Sequence, residues 1–490
     1  MSFTQHTLML KNDSTLWGCG LNHYGQLGLG DTNSRITFVQ ITANINDIKS
    51  VYCGTHYTII LKNDGTLWGC GYNDYGQLGL GDKTNKNIFT KITTNTDDVK
   101  SVYCGSLYTL ILKKDGTLWG CGWNSYGQLG LGDKTNRKVF TQITTNVDNI
   151  KSVYCGGAHA FILKNDGTLC GCGDNQYGQL GLENTNNETA FTMIYSNPGN
   201  IKLIYCGCNH TLILQNNGTL WGCGDNQYGQ LGLGDTDNRN IFTKITNDIT
   251  SVYCGYAHTI ILKNDGTLWG CGQNNHGQLG LGKDTNNKTF FTQITVNIDN
   301  IKSVYCSYDN TLILKNDGTL WGCGSNSQGE LGLGDTNNRN TFTQITTNTD
   351  NIKCFVNDYP NLPSVIKIYD TKIGYIETLD TNNFRNITIN TVERLKVLYT
   401  KPENTLLSCI VSFDQGQTWK TFNGTNWLTV SDISPENMIL NCMSIGTLNQ
   451  LNKNKLLAGG FTGDLDFKIA IKTNDENKTP SVTKIYIEYK

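Results

Sequence analysis

The chain has 490 residues, a net charge of −2, 16% charged residues and 18 cysteines. That is more chain than one ordinary hydrophobic core needs, and its Lys and Arg are scattered rather than clustered, which argues against an electrostatic grip on nucleic acid or an anionic membrane. The opening MSFTQHTLMLKND lacks the basic start and apolar run of a signal peptide, and no apolar stretch is long enough to span a bilayer.

From His6 onward one sentence repeats. HTLMLKND (His6–Asp13) leads into a phrase that begins TLWGCG at Thr15 and returns from Thr66, Thr117, Thr168, Thr219, Thr267 and Thr319. Trp17, Trp68, Trp119, Cys170, Trp221, Trp269 and Trp321 hold equivalent places, at steps of 51, 51, 51, 51, 48 and 52 residues. A fixed period of this size means a solenoid, a propeller or an array. In the second unit TIILK (Thr58–Lys62) predicts a strand, and NDG (Asn63–Gly65) a tight hairpin turn. TLWGC (Thr66–Cys70) returns as a second strand, and GYNDYGQLGLGD follows as a Gly-rich loop. IFTKIT (Ile88–Thr93) and VKSVYCG (Val99–Gly105) supply two more strands. Four strands per unit make a propeller blade, and no segment has a helical apolar period.

The two ends of the array distinguish a ring from a solenoid. The first unit lacks the IKSVYCG strand that precedes every later one, and NTFTQITTNTDNIKCF (Asn340–Phe355) supplies that portion after the seventh unit. A solenoid caps each end separately, whereas a ring completes its first blade with its last residues and so removes exposed sheet edges. The expected fold of residues 1–357 is therefore all-β, a closed seven-bladed β-propeller.

YCGYAHTIILKNDGTLWGCGQNNHGQLGLG (Tyr253–Gly282) resembles the repeat of the regulator of chromosome condensation family: C-G-x-x-H-T, then D-G-x-x-x-x-W-G-x-N-x-x-G-Q-L-G-x-G. The resemblance extends over all seven units and implies the same seven-bladed propeller. The founding activity of that family is nucleotide exchange on a small GTPase, and its bacterial propellers include a β-lactamase inhibitor. This sequence departs from the pattern at several places. The family His stands at His6, His159, His210 and His258 but becomes Tyr57, Tyr108 and Asn310. The Trp becomes Cys170, the Gln becomes Glu330, and RNTFTQI (Arg339–Ile345) stands where a Pro is usual.

The repeated polar letters read as structural. The cysteines sit mostly in YCG and GCG. There is no CxxC pair, and Cys170/Cys172 and Cys206/Cys208 are too tightly spaced for a usual zinc knuckle. They are expected to be buried reduced thiols in a reducing compartment, with no metal bound. The repeated His is read as a hydrogen-bonding peg that holds a neighbouring turn. Asp31, Asp82, Asp133, Asp235 and Asp335 give one carboxylate per loop, too few for calcium, and are read as turn or cap residues. Leu78, Leu80 and Trp68 should fill the space between blades. No phosphate loop, nucleophile elbow or His/carboxylate cluster is specified, so the chain is read as a non-enzyme without cofactors.

The letters that vary are the candidate partner contacts. They are Leu21, His23, Tyr72, Asp74, Trp123, Ser125, Asp174, Asp225, Gln273, Tyr256 and Tyr308. Tyr and Trp on a rigid frame give contact area at low entropic cost, and Tyr72 and Trp123 are expected to be exposed. Tyr24, Tyr75 and Tyr126 serve either this face or interblade packing.

After Cys354 the period stops. VNDYPNLPS (Val356–Ser364) marks a linker at 358–364, and residues 365–490 are expected to form a small β-sandwich. Within it SFDQGQTW (Ser412–Trp419) matches an Asp-box hairpin, and the region is similar to C-terminal β domains of phage tail and bacterial surface proteins. The composition, rich in Asn, Ile, Lys and Thr and poor in Pro, points to a bacterial or phage source. The expected function is a monomeric, non-enzymatic scaffold that binds a protein or surface glycan, without nucleic acid or membrane insertion. The alternatives are inhibition or regulation of a partner enzyme, nucleotide exchange, and glycan hydrolysis, the last on the Asp box alone. Synthesis without a signal peptide is expected to be cytoplasmic, with virion association or non-classical release as routes outward.

Overall fold

The computed structural model describes residues 6–356 apart from 44, 196, 197, 350 and 351, and nine strands between 374 and 488. The chain divides into two compact units, Met1–Ile366 and Lys367–Lys490.

The first unit consists of seven four-stranded antiparallel sheets. The second blade is typical. Ile48–Gly54, Tyr57–Lys62, Leu67–Gly71 and Lys86–Ile92 pair in chain order. All of Tyr57–Lys62 is buried, because a blade in the middle of the array packs a neighbour against each face. The NDGTLW phrase explains itself here. Gly65 takes φ +85, which closes the turn, and the Asp64 carboxylate accepts from the Thr66 amide (2.8 Å) and hydroxyl (2.7 Å). The Thr66 hydroxyl in turn accepts from Trp68 Nε1 at 3.0 Å, and the Lys62 ammonium lies 4.3 Å from the indole centroid.

The first blade is completed from the far end of the array. Ile352–Val356 pairs with His6–Lys11, with Leu8 opposite Val356 and Lys11 opposite Ile352. Apolar layers lie between successive blades, with Leu78 buried in the layer between blades two and three and Leu80 and Trp119 packed against it. A corresponding layer joins blade seven to blade one through Tyr305, Leu312, Leu320 and Leu331 on one side and Met9, Cys19 and Phe38 on the other. The Thr7 hydroxyl donates to the Glu330 carbonyl at 2.8 Å, and Asn348 Nδ2 donates to the Phe38 carbonyl at 2.9 Å.

The repeated His is an interblade peg. Nε2 of His6 lies 2.9 Å from the Thr58 hydroxyl of the next blade, and His159 and His258 meet Thr211 and Thr311 at 3.0 and 3.2 Å. In the second blade the Tyr57 hydroxyl reaches across to the Tyr108 carbonyl and accepts from Thr109, so Tyr does the same work by a different atom. The seventh unit changes two letters together. A Cβ on Gly255 would sit 2.1 Å from His258 Cε1, so the ring requires glycine there. Where the shorter Asn310 replaces the ring, Ser307 replaces the glycine.

The fifteen described cysteines stand as thiols. All but the half-buried Cys208 are buried, and desolvation pushes the ionisation of those at the GCG positions, such as Cys121 and Cys223, well up. The described strands of the second unit form a three-stranded and a six-stranded sheet. Their packing as a sandwich, the linker at 358–364 and the Asp-box turn at residues 413–418 lie outside the described residues.

Candidate functional site

The Gly-rich loops fold by satisfying their own polar groups. In the second unit Asn73 Nδ2 donates to the Asp82 carboxylate at 3.0 Å, while Asn73 Oδ1 accepts from the Leu78 amide at 3.0 Å. Gln77 Oε1 accepts from the Tyr75 amide at 3.2 Å. Asp82 also accepts from the Thr84 amide and pairs with Lys86 at 3.0 Å, which confirms a turn role for this Asp series. Asn, Asp and the Gln side-chain oxygen are thus used in shaping the loop. The side chains between them, at positions 72, 74 and 75, are left to the surface.

Near the axis a second set of loops is tied blade to blade by the backbone. The Thr55 amide donates to the Ser106 carbonyl, Ser106 to Gly157, Cys208 to Tyr256 and Tyr256 to Tyr308, at 2.9–3.3 Å. The variable residues of these inner loops and of the Gly-rich loops therefore share one end of the propeller.

Over blades one to three the variable positions form a continuous arc of rings. Tyr24 lies 5.3 Å from His56 and 4.7 Å from Tyr72, centroid to centroid. Tyr72 continues to Tyr75 (6.1 Å), Tyr75 to Trp123 (6.0 Å) and Trp123 to Tyr126 (5.2 Å). The pairs are tilted or edge-to-face, the arrangement aromatic quadrupoles favour. Trp123 Nε1 is fixed by the Ser125 hydroxyl at 2.8 Å. Tyr72 and Trp123 are half-buried rather than fully exposed, because each ring leans on a neighbour. Tyr24, Tyr75, Tyr126 and His56, which join the arc, were outside the set picked from variability. The recurrence of Tyr two residues after the fixed Asn was the available signal, and the sequence left open whether it meant packing or surface.

The rest of the set divides. His23, Asp74 and Ser125 are exposed, and Gln273 and Tyr256 are half-buried. Tyr256 and Tyr308 stack at 4.0 Å and 27°, away from the arc in sequence and by blade. Leu21, Asp174, Asp225 and Tyr308 are buried, at 4%, 6%, 8% and 7% exposure, so variation at a position did not always mean surface. The residue before the fixed Asn lies against the loop Gln, as the 3.0 Å bond from Gln179 Nε2 to Asp174 shows.

The face is electrostatically one-sided. Burial pushes the carboxyls of Asp174, Asp225 and Glu330 up, and that of Asp309 to about 7. Asp309 accepts from Gln278 Nε2 at 3.3 Å, and Glu330 accepts from the Gln328 amide at 2.8 Å. No group of three or more His, Cys, Asp or Glu among the described residues could hold a metal.

Comparison with known proteins follows this geometry. The description "Regulator of chromosome condensation (RCC1) repeat" matches residues 13–61, 64–112 and 115–163, and "RCC1-like domain" matches 147–359. The chain is 35% identical over 246 residues to the Ultraviolet-B receptor UVR8 of Arabidopsis thaliana, covering 49% of this chain and 55% of the receptor. It is 32% identical over 287 residues to the X-linked retinitis pigmentosa GTPase regulator of Mus musculus, covering 47% of this chain and 29% of that protein. The chain thus spans about half, or less, of the length of these curated relatives. The crystal structure of Kap60 bound to yeast RCC1 (Prp20) shares the fold, with a TM-score of 0.62 at 19% identity, over 70% of this chain and 85% of that one. The seven blades, the loop-shaping Asn of each unit, and repeat matches running from residue 13 to 359 establish that the chain belongs to the RCC1 repeat family.

Proposed function

We propose that the chain is a non-enzymatic binding scaffold that holds a protein partner against the aromatic arc of blades one to three. The continuous arc of rings from His56 to Tyr126 carries this reading. Rigid rings held on a frame by their neighbours lose little entropy on binding. The relatives are a receptor and a GTPase regulator, and a solved neighbour is bound to another protein; these support a role in protein contact.

The test is cross-linking capture by the full chain, compared with Trp123→Ala and with Lys114→Ala at the opposite end of the blades. A partner held here should lose about 2 kcal/mol of binding with Trp123→Ala and nothing with Lys114→Ala, while melting stays unchanged. Equal capture by all three overturns the reading. Capture of sugars rather than proteins through the same rings would replace the partner class.

A further inference from the structure

Resting on the scaffold reading, we propose that the partner presents a cationic segment, rich in arginine or lysine, to this end of the propeller. The aromatic arc and the carboxylates beside it would receive the cations together.

The first argument is what the face omits. In no unit is either residue flanking the fixed Asn, or the residue after those, a Lys or Arg. The same holds for the inner-loop pairs, from Thr55-His56 round to Tyr308-Asp309. Yet the chain holds 39 Lys and Arg. Most of the described ones are placed elsewhere or are already paired; Lys138, exposed beside Gly76, is an exception. Lys11, Lys62, Lys113, Lys263 and Lys315 lie over Trp rings at the opposite end of the blades. On the outer strands Arg35, Arg137, Arg239 and Arg339 are each held by a loop Asp at 2.5–2.6 Å. Lys83, Lys134 and Lys283 follow the outer turn of their loops, beside those pairs.

The second argument is what the face contains. Asp74 is exposed beside Tyr72, and Asp174, Asp225, Asp309 and Glu330 lie at the same end. No Lys or Arg of the described residues forms an ion pair with any of the five. Burial without a counter-charge is what holds the carboxyls of Asp309 and Glu330 up. Buried carboxyls without cations, such as Asp225 and Glu330, are unfavourable, and a cation brought by a partner to the half-buried Asp309 or the exposed Asp74 lowers the cost of the negative charge at this end. Tyr and Trp rings add to the same preference, because their faces attract guanidinium and ammonium groups. A neutral or acidic partner would gain nothing from the carboxyls.

The experiment uses the full chain with an octa-arginine peptide and an uncharged Gly-Ser peptide of equal length, followed by fluorescence anisotropy. The arginine peptide should bind and the uncharged one should not. Binding should weaken at least about tenfold with Trp123→Ala, and also with Asp225→Asn and Asp309→Asn combined, which keep side-chain shape. It should fall with ionic strength and be unaffected by Asp98→Asn at the opposite end. No binding of the arginine peptide overturns the proposal, and so does binding that ignores both sets of substitutions, since that is adsorption to any acidic protein. If the arginine peptide fails while captured partners still depend on Trp123, the cationic partner is wrong and the scaffold stands. If neither depends on this end, both are wrong.

Discussion

Acid should unfold this propeller well before its exposed carboxylates protonate. The pegs at His6, His159 and His258 have their imidazole ionisation pushed down to about 3, and His210 to about 4, chiefly by burial. In the unfolded chain each takes a proton near 6.5. Between those values the unfolded state binds more protons than the folded one, so stability is full above about 6.5 and is lost as pH falls. From pH 7 to pH 5 the loss is about 2 kcal/mol per buried His, and about 8 kcal/mol for the four pegs. The figure depends on the unfolded value alone as long as the folded one stays well below 5. His56, pushed down to about 4, acts in the same direction. Asp309 opposes it. Its carboxyl, pushed up to about 7, costs stability at neutral pH and returns about 2 kcal/mol on acidification to pH 5. The four pegs outweigh Asp309; Asp174, Asp225 and Glu330, whose carboxyls burial also pushes up, oppose them in the same direction. Urea midpoints at pH 7, 6 and 5 measure the slope. The His159→Tyr variant isolates the cause, because the tyrosine should reach the next blade as Tyr57 and Tyr108 do, with Thr211 standing where Thr109 meets Tyr57. It should fold and lose about 2 kcal/mol of the acid sensitivity. A flat stability from pH 7 to pH 5, or imidazole titration near 6.5 in the native protein, would refute the buried-peg account.

Deleting residues 340–357 removes the strand paired with His6–Lys11 and the outer strand of blade seven; the product should aggregate or unfold, and a monomer with unchanged melting would mean the array is not closed in this way. Alkylation of the native protein should reach Cys208 first and the buried thiols only in denaturant, which mass spectrometry of labelled peptides follows; several native disulfides would overturn the packing role. Glu330 stands where six units carry Gln, so Glu330→Gln should raise the urea midpoint at pH 8, by about 1 kcal/mol, since the amide can accept from the Gln328 amide without a buried charge. A lower midpoint would mean that the carboxylate has a cationic partner in the folded chain.

Most of the frame was legible because a repeat compares a sequence with itself. Seven close variants of NDGTLW, three of them identical, showed that these letters were hardly free, and the Asp64–Thr66–Trp68 chain of hydrogen bonds is the reason. The missing strand before His6 was legible as an absence filled by Asn340–Phe355. The face was legible only in part. Variability identified Tyr72 and Trp123, but it also identified Leu21 and Asp174, which are buried. A varying letter shows that several side chains fit, not that the site faces water. Tyr75 and Tyr126 erred in the other direction: a Tyr repeated in most units looked as much like packing as like surface, and whether its ring met a neighbour depended on the next blade.

The near identity of the units then becomes an argument about how asymmetry is made. Seven equal loops would give a face with no preferred direction. Here the loop hydrogen bonds of Asn and Gln are the same in blade two as in blade five, so the folding of each loop does not depend on what stands between them. That independence lets a few substitutions give the frame a direction. Rings gather where Tyr72 and Trp123 precede the Asn, and carboxyls gather where Asp174 and Asp225 do. The same register positions supply both halves. It follows that exchanging them, Tyr72→Asp with Asp225→Tyr, should leave the blades folded and move the arc rather than abolish it: the Asn226 and Gln230 bonds that shape the loop do not run through that residue, and the exchange gives up only the bond Asp225 accepts from the Gln227 amide and its contact with Gln230.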